Sequence, residues 1–291
     1  MRASLLVMIF ARLISKLPFP VLYAISDFLF VMSYHLVGYR RKLVQKNLKN
    51  SFPERSEPEL RQMEKQFYRN LCDYAVEMLK LLTISKDELT KRMVFTNPEV
   101  LMKHAVNKQS VLNLASHHFN WEWLLTAASV IFPVETDFVY QPVNSPFFER
   151  ITLACRTRFG AHAVKRDEVA REMVKRKNVT RNVAIVGDQY PGYKHDKKYP
   201  TKFMNQDTVF FYGTYQIALL TQFPVVYNTL KKVRRGYYEV TTIELANPPY
   251  KKDDHTLLEN YINEVEKGIR DRPGEWLWSH NRWKKRHLEN A

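Results

Sequence analysis

The chain of 291 residues is long enough for one large domain or two small ones, and with 45% hydrophobic and 13% aromatic residues it is composed to bury a core. Its 45 Lys and Arg against 30 Asp and Glu leave a formal net charge of +15, which favours polyanionic partners: nucleic acid, anionic lipid, phosphorylated substrates or an acidic protein. Its 8 glycines form no phosphate-binding loop, which disfavours a nucleotide-binding enzyme, and its 2 cysteines, Cys72 and Cys155, have neither disulfide nor metal-ligand spacing.

The amino terminus is apolar. Between Lys16 and Tyr39 lies "LPFPVLYAISDFLFVMSYHLVG", 22 residues whose only acidic, basic or imidazole side chains are Asp27 and His35. As a helix it would run roughly 33 Å, enough to cross a bilayer core. Pro18 and Pro20 suit a helix start, and Arg40, Arg41 and Lys42 follow as on a cytoplasmic flank or against anionic headgroups. Asp27 near the middle costs about 2.5 to 3.5 kcal/mol in a bilayer. The segment therefore reads as membrane-associated over residues 1–42, spanning or lying in the interface, with a buried amphipathic helix as the alternative.

A basic helix follows up to Pro53, then a helix over 57–82 carrying Phe67, Leu71, Tyr74, Met78 and Leu81 at spacings of three and four. From about residue 96 strands alternate with helices. "SVLNLAS", "TDFVYQP", "NVAIVGDQ", "PVVYNTLKKV" and "YYEVTTIEL" read as strands. "WEWLLTAASVIF", "FFERITLACRTRFG", "VFFYGTYQIALLTQF" and residues 255–270 read as helices. The pattern is that of an α/β layer fold, with working residues expected at strand carboxyl ends. No linker separates a second domain after residue 43, so 43–291 reads as one unit.

One such strand end carries "NLASHHFNWEWLL", residues 113–125. His117 and Glu122 are five residues apart, which on a regular helix puts them roughly 140° apart. They can meet only across a strand-to-helix turn, and "NLAS" followed by "WEWLL" supplies one. There His117 could take a hydroxyl proton while Glu122 holds its other ring nitrogen. The spacing also arises by chance, in which case one histidine caps the helix and Glu122 is a solvated first-turn acid. A zinc site would need a third ligand, and none is evident.

The stretch "SHHFNWEW" resembles the H-x4-[DE] block of the lipid A biosynthesis acyltransferases. "LYAISDFLF", "GYRRKLVQKNLKNSFP", "FYRNLCDYAVEMLKLLTIS", "CRTRFGA", "GDQYP", "FMNQDTVFFYGTYQIA" and "PGEWLWSHNRWKKR" are similar, in order, to the family's other blocks across nearly the whole chain, most like its Bacteroidetes members. The resemblance implies an α/β fold, a central mixed sheet flanked by helices like that of glycerolphosphate acyltransferases, with an N-terminal hydrophobic membrane helix. It implies transfer of a fatty acyl chain from acyl carrier protein, with no other cofactor and no metal, to a hydroxyl of a lipid A precursor. His117 is then the general base and Glu122 its charge-relay partner. Asn120 orients the turn. Arg156, with Arg158 as the alternative, binds a precursor phosphate or steadies the oxyanion. Asp188 and Gln189 donate to the site or start the turn before Pro191, and His118 packs or caps. The implied location is the cytoplasmic face of a bacterial inner membrane, against anionic lipid.

Phe203, Met204 and Asn205 depart from the aromatic-aromatic-glycine turn of many proteobacterial members, a place that bears on acyl-chain length and acceptor. The three tryptophans of "WLWSHNRWKK" read as an interfacial belt and a packed terminus. An acyltransferase for another glycolipid, aminolipid or phospholipid precursor shares this chemistry. A non-catalytic basic membrane-binding protein would share only the charge. No nucleic-acid motif occurs, so nucleic acid is not an expected partner.

Overall fold

The computed structural model describes residues 2–284. Three helices precede the sheet-bearing part: α1 (Arg2–Lys16), α2 (Phe19–Phe30), continued by π-type turns over Val31–Val37, and α3 (Arg41–Ser51). They lean on α4 (Glu57–Lys80), whose start is fixed by a capping box in which the Ser56 hydroxyl and backbone N–H both donate to Glu59 Oε2 at 2.7 and 2.8 Å. Of the expected stripe, Phe67 and Leu81 are buried and Leu71, Tyr74 and Met78 are half-buried against the core, while the fully buried line of α4 runs through Phe67, Tyr68, Cys72 and Val76.

After α5 (Lys86–Arg92), the main sheet is built from β1 (Met93–Phe95), β2 (Val111–Ala115), β3 (Glu135–Tyr140), β4 (His162–Lys165), β5 (Arg181–Val186), β8 (Val225–Arg234) and β9 (Tyr237–Ala246). Its order is β1-β9-β8-β2-β5-β3-β4. All neighbours are parallel except β8 and β9, the hairpin closed by Arg235–Gly236. Gly236 has φ +74°, and a Cβ there would collide with the Tyr23 hydroxyl of α2. This is the expected mixed sheet. Helix α6 (Glu99–Val106) leads into β2. Helices α7 (Trp121–Ile131), α8 (Pro146–Arg156), α9 (Val169–Lys175), α10 (Gly213–Thr221) and α11 (Thr256–Asp271) link or flank the strands. One core lies on each side of the sheet: Leu112, Leu114 and Val183 face one, Val111, Ala115 and Val226 the other, as alternation requires.

The stretch expected as a helix at 209–223 divides. Its first part is β7 (Gln206–Phe211), paired antiparallel with β6 (Lys198–Phe203) in a separate two-stranded sheet, and only Gly213–Thr221 is helical. The turn between them is Met204–Asn205, both at positive φ (51° and 63°). Asn205 tolerates this region and donates to the Ser51 carbonyl at 3.1 Å. Met204 is held there by complete burial and by a backbone bond to Glu266 at 2.8 Å. Asn205, at the position expected to be glycine, thus takes up the left-handed φ itself. Both cysteines are free and buried.

Candidate active site at the carboxyl ends of β2 and β5

Strands β2 and β5 run parallel with Ala115 opposite Val186, so the residues just past each end emerge side by side. This register carries His117 to Asp188, 71 positions away along the chain. Asp188 Oδ1 lies 2.6 Å from His117 Nδ1, and Asp188 Oδ2 accepts the His117 backbone N–H at 3.0 Å. Trp276 Nε1 donates to the same Oδ2 at 2.7 Å, and Arg282 Nε to the Asp188 carbonyl at 2.7 Å. Burial alone would raise the Asp188 carboxyl, but His117, the backbone N–H and Trp276 together hold it well below the usual carboxylate range. An ionised Asp188 can only accept, so the neutral imidazole carries its proton on Nδ1 and its lone pair on Nε2. His117 lines a cavity of about 320 Å³, and Nε2 is the nitrogen left for chemistry there.

The turn after His117 is fixed from several sides. Phe119 N–H donates to the Glu275 carbonyl at 2.8 Å and Leu277 N–H to the His117 carbonyl at 3.1 Å, so the C-terminal strap holds the motif like an extra strand. The Phe119–Asn120 peptide is cis. Asn120 caps α7, its Oδ1 accepting Trp123 N–H at 3.1 Å, and its Nδ2 donates to the buried Glu77 at 2.9 Å. With both amide atoms engaged, Asn120 orients the turn rather than meeting a ligand. His118 points away from the cavity: it is buried, shares a 2.7 Å hydrogen bond between Nδ1 and Ser116 Oγ, and burial lowers its pKa to about 4.

Glu122 faces the same cavity but does not hold the imidazole. Arg156, in the last turn of α8, grips it in bidentate fashion, Nε to Oε2 at 2.7 Å and Nη2 to Oε1 at 2.6 Å. Trp121 Nε1 adds 3.0 Å to Oε1. Burial would raise the Glu122 carboxyl, yet Arg156, Trp121 and the nearby His117 bring it below its ordinary value. Burial likewise opposes the Arg156 charge, and Glu122 more than restores it. The pair is ionised, with Arg156 Nη1 left over beside the cavity it lines.

Residues 2–285 match the family described as bacterial lipid A biosynthesis acyltransferase. The chain belongs to this family. It is 24% identical over 276 residues to the lipid A biosynthesis palmitoleoyltransferase of Escherichia coli (strain K12), covering 93% of this chain and 87% of that protein. The lipid A biosynthesis acyltransferase of Shigella flexneri gives the same figures.

The acyltransferase motif block thus lies at the cavity, with one geometric correction. The expected partner of His117 across the turn was Glu122; the carboxylate on Nδ1 is Asp188, because parallel register brings it there while Arg156 occupies Glu122. Gln189 lines the cavity as well. Arg158 does not: its Nη1 donates to the Leu81 carbonyl at 2.8 Å and to that of Ile84, tying α8 to the end of α4. Of the tryptophans expected as an interfacial belt and a packed terminus, Trp276 is buried and donates to Asp188. Of "WLWSHNRWKKR", Lys285 and Arg286 lie outside the described residues. Among the described residues no group of three or more His, Cys, Asp or Glu could hold a metal ion.

Proposed function

We propose that this lipid A acyltransferase moves a fatty acyl chain from acyl carrier protein to a hydroxyl of a lipid A precursor, with His117 as general base. The observation that carries the reading is the oriented imidazole: Asp188 on Nδ1, and Nε2 at a cavity walled by Leu124, Leu125, Ala128 and Phe138 and bordered by Arg156. The acceptor hydroxyl attacks the thioester carbonyl as Nε2 takes its proton. The negative charge moves to the carbonyl oxygen, where the Arg156 guanidinium, pre-set by Glu122, stabilises it. Collapse breaks the carbon–sulfur bond, and the imidazolium returns its proton to the departing thiolate. The products are an ester and a free thiol, with no acyl-enzyme. Asp188 stabilises the transient imidazolium without taking its proton.

In the same proposal the enzyme sits on the cytoplasmic face of the inner membrane. The helix Phe19–Val37 is long and apolar enough to cross a bilayer by length and composition. Yet Tyr23 donates to Glu77 at 2.9 Å, Ser26 to Asp73 at 2.7 Å, and Asp27 pairs with Arg235 at 2.7 Å, which binds the helix lengthwise to the body. Phe10, Leu13, Phe28, Leu36 and Val37 remain exposed. We read this as an in-plane helix whose outer face enters the headgroup boundary, with Arg12, Lys16, Arg40 and Lys42 toward anionic lipid.

The test is reconstitution of purified protein with acyl-loaded carrier protein and a hydroxylated lipid A precursor in anionic vesicles, followed by mass spectrometry. One acyl chain is gained by the precursor, and His117→Ala loses at least roughly 100-fold in rate. A precursor that stays unmodified while another lipid is acylated would overturn the acceptor assignment.

A further inference from the structure

The cavity extends well past His117. The β3–β5 pairing ends at Phe138 and Ala184, although β5 continues to Val186 and β3 to Tyr140, so the strands part at their carboxyl ends and open the cleft. From there the cavity follows the underside of α7 along β2 and β5. The inward residues of β5 are Val186, Ala184 and Asn182, and those of β2 are Ala115 and Asn113, with Asn228 of β8 beside them. By register Asn228 stands level with Ala115 and Val186 near the catalytic end, Asn113 lies one inward layer deeper beside Ala184, and Asn182 lies one layer deeper again. Asn113, Asn182 and Asn228 are all more than nine-tenths buried. Asn228 Oδ1 accepts from Thr242 at 2.8 Å. Both amide atoms of Asn182 have no hydrogen-bond partner among the described residues. Beyond Asn182 lies a small recess of about 10 Å³, too small to continue the chain, where His104, Gln109 and Arg181 stand among Leu101, Val111, Phe132 and Val134.

We propose that Asn113 and Asn182 are the floor of the acyl-chain site and set the length of chain the enzyme transfers. The inference rests on the acyltransferase reading above and names what that reading leaves open. A methyl end that reaches Asn113 and Asn182 has filled the apolar wall. One more methylene would have to press against these amides and seal buried donors and acceptors against hydrocarbon, a cost with no return. The distance gives the length. Asn113 lies four strand residues below His117 and Asn182 six below Asp188, roughly 13 to 20 Å at ~3.3 Å per residue. An extended chain advances somewhat less than its ~1.5 Å bond length per carbon, so this depth holds roughly 10 to 15 carbons.

The experiment compares full-length wild type with Asn182→Ala, Asn182→Ser and Asn113→Ala. Each is given carrier protein loaded with saturated chains of about 8 to 18 carbons in competition, and kcat/KM ratios between lengths are read by mass spectrometry. Wild type should peak at roughly 10 to 15 carbons, and each alanine variant should shift the ratio toward the next longer chain by roughly tenfold. Asn182→Ser, almost as small but still polar, should stay near wild type, which separates a polar stop from mere volume. Equal shifts in the Ala and Ser variants would overturn the amide mechanism. Unchanged profiles in folded variants would overturn the assignment of the floor. No transfer from any chain length by folded wild type would instead sink the acyltransferase reading itself, a distinguishable result.

Discussion

Two regions of this molecule bury carboxylates against basic groups, and they treat them oppositely. Between α2, α4 and the β8–β9 hairpin, every acid is saturated. Asp73 accepts from Ser26, Lys232 and Arg235, and Glu77 from Tyr23, Asn120 and Tyr238. Neither Asp73 nor Glu77 lines the cavity at His117, and the network ties the N-terminal helices to the sheet. At the carboxyl ends of β2 and β5, each acid instead orients one group whose remaining atom is left for a ligand: Asp188 leaves His117 Nε2, and Glu122 leaves Arg156 Nη1. Charge burial alone does not mark a site. What marks it is a partner held by one end only.

The comparison breaks most visibly in kinetics. Asp188→Asn replaces the acceptor on Nδ1 with an amide that can donate, favouring the wrong tautomer and removing the charge that stabilises imidazolium. Turnover should fall by roughly 10³ to 10⁴-fold. Glu122→Gln leaves His117 oriented and weakens only the hold on Arg156, so the loss should be nearer 10²-fold. Initial rates beside melting curves decide. A larger loss from Glu122→Gln than from Asp188→Asn would reverse the assignment.

In the saturated network the effect should move from rate to stability. Asp73→Asn strips the charge facing Lys232 and Arg235 and should cost about 2 to 4 kcal/mol in denaturant unfolding. At a temperature where the variant is folded, kcat should change little. A fall in kcat as large as that of Glu122→Gln would show that this region also serves the chemistry.

A smaller effect separates the two adjacent histidines. Burial holds folded His118 at a pKa of about 4, below the ~6.5 of an unfolded chain. Between these values the unfolded chain takes up the proton first, so stability falls as the pH drops from 6.5 toward 4. Relative to His118→Gln, wild type should lose about 2 kcal/mol between pH 7 and pH 5. Glu275, pushed up to about 7 by burial, runs the other way but is common to both proteins, so the difference isolates His118. A gap independent of pH would contradict the buried, neutral state.

Much of this was legible in the sequence. The five strands read from β-branched runs, the turn at Arg235–Gly236 and the strand-to-helix step after Ser116 all stand where the pattern placed them. Short strands did not announce themselves: β1 and β4 have three and four residues, too few for a period to show. "VFFYGTYQIA" is apolar in both periods, so β7 and α10 merged into one expected helix. His117 and Gln189 were found at the cavity, and Asp188 was singled out without its partner. The partner was missed for a physical reason. Glu122 is five residues from His117 and Asp188 is 71, and only parallel register, which no local spacing encodes, brings the distant acid closer. Between Arg156 and its alternative Arg158 no local spacing decides: two residues past Arg156, Arg158 leaves the end of α8 in another direction.

The central claim is that Asp188, and not Glu122, holds the Nδ1 proton of His117. Proton and ¹⁵N NMR of histidine-labelled protein near neutral pH tests it directly. A short Nδ1–H to carboxylate bond gives a downfield proton resonance, assigned by its absence from His117→Gln. The resonance should persist in Glu122→Gln and vanish or move far upfield in Asp188→Asn. Its loss in Glu122→Gln with retention in Asp188→Asn would contradict the account.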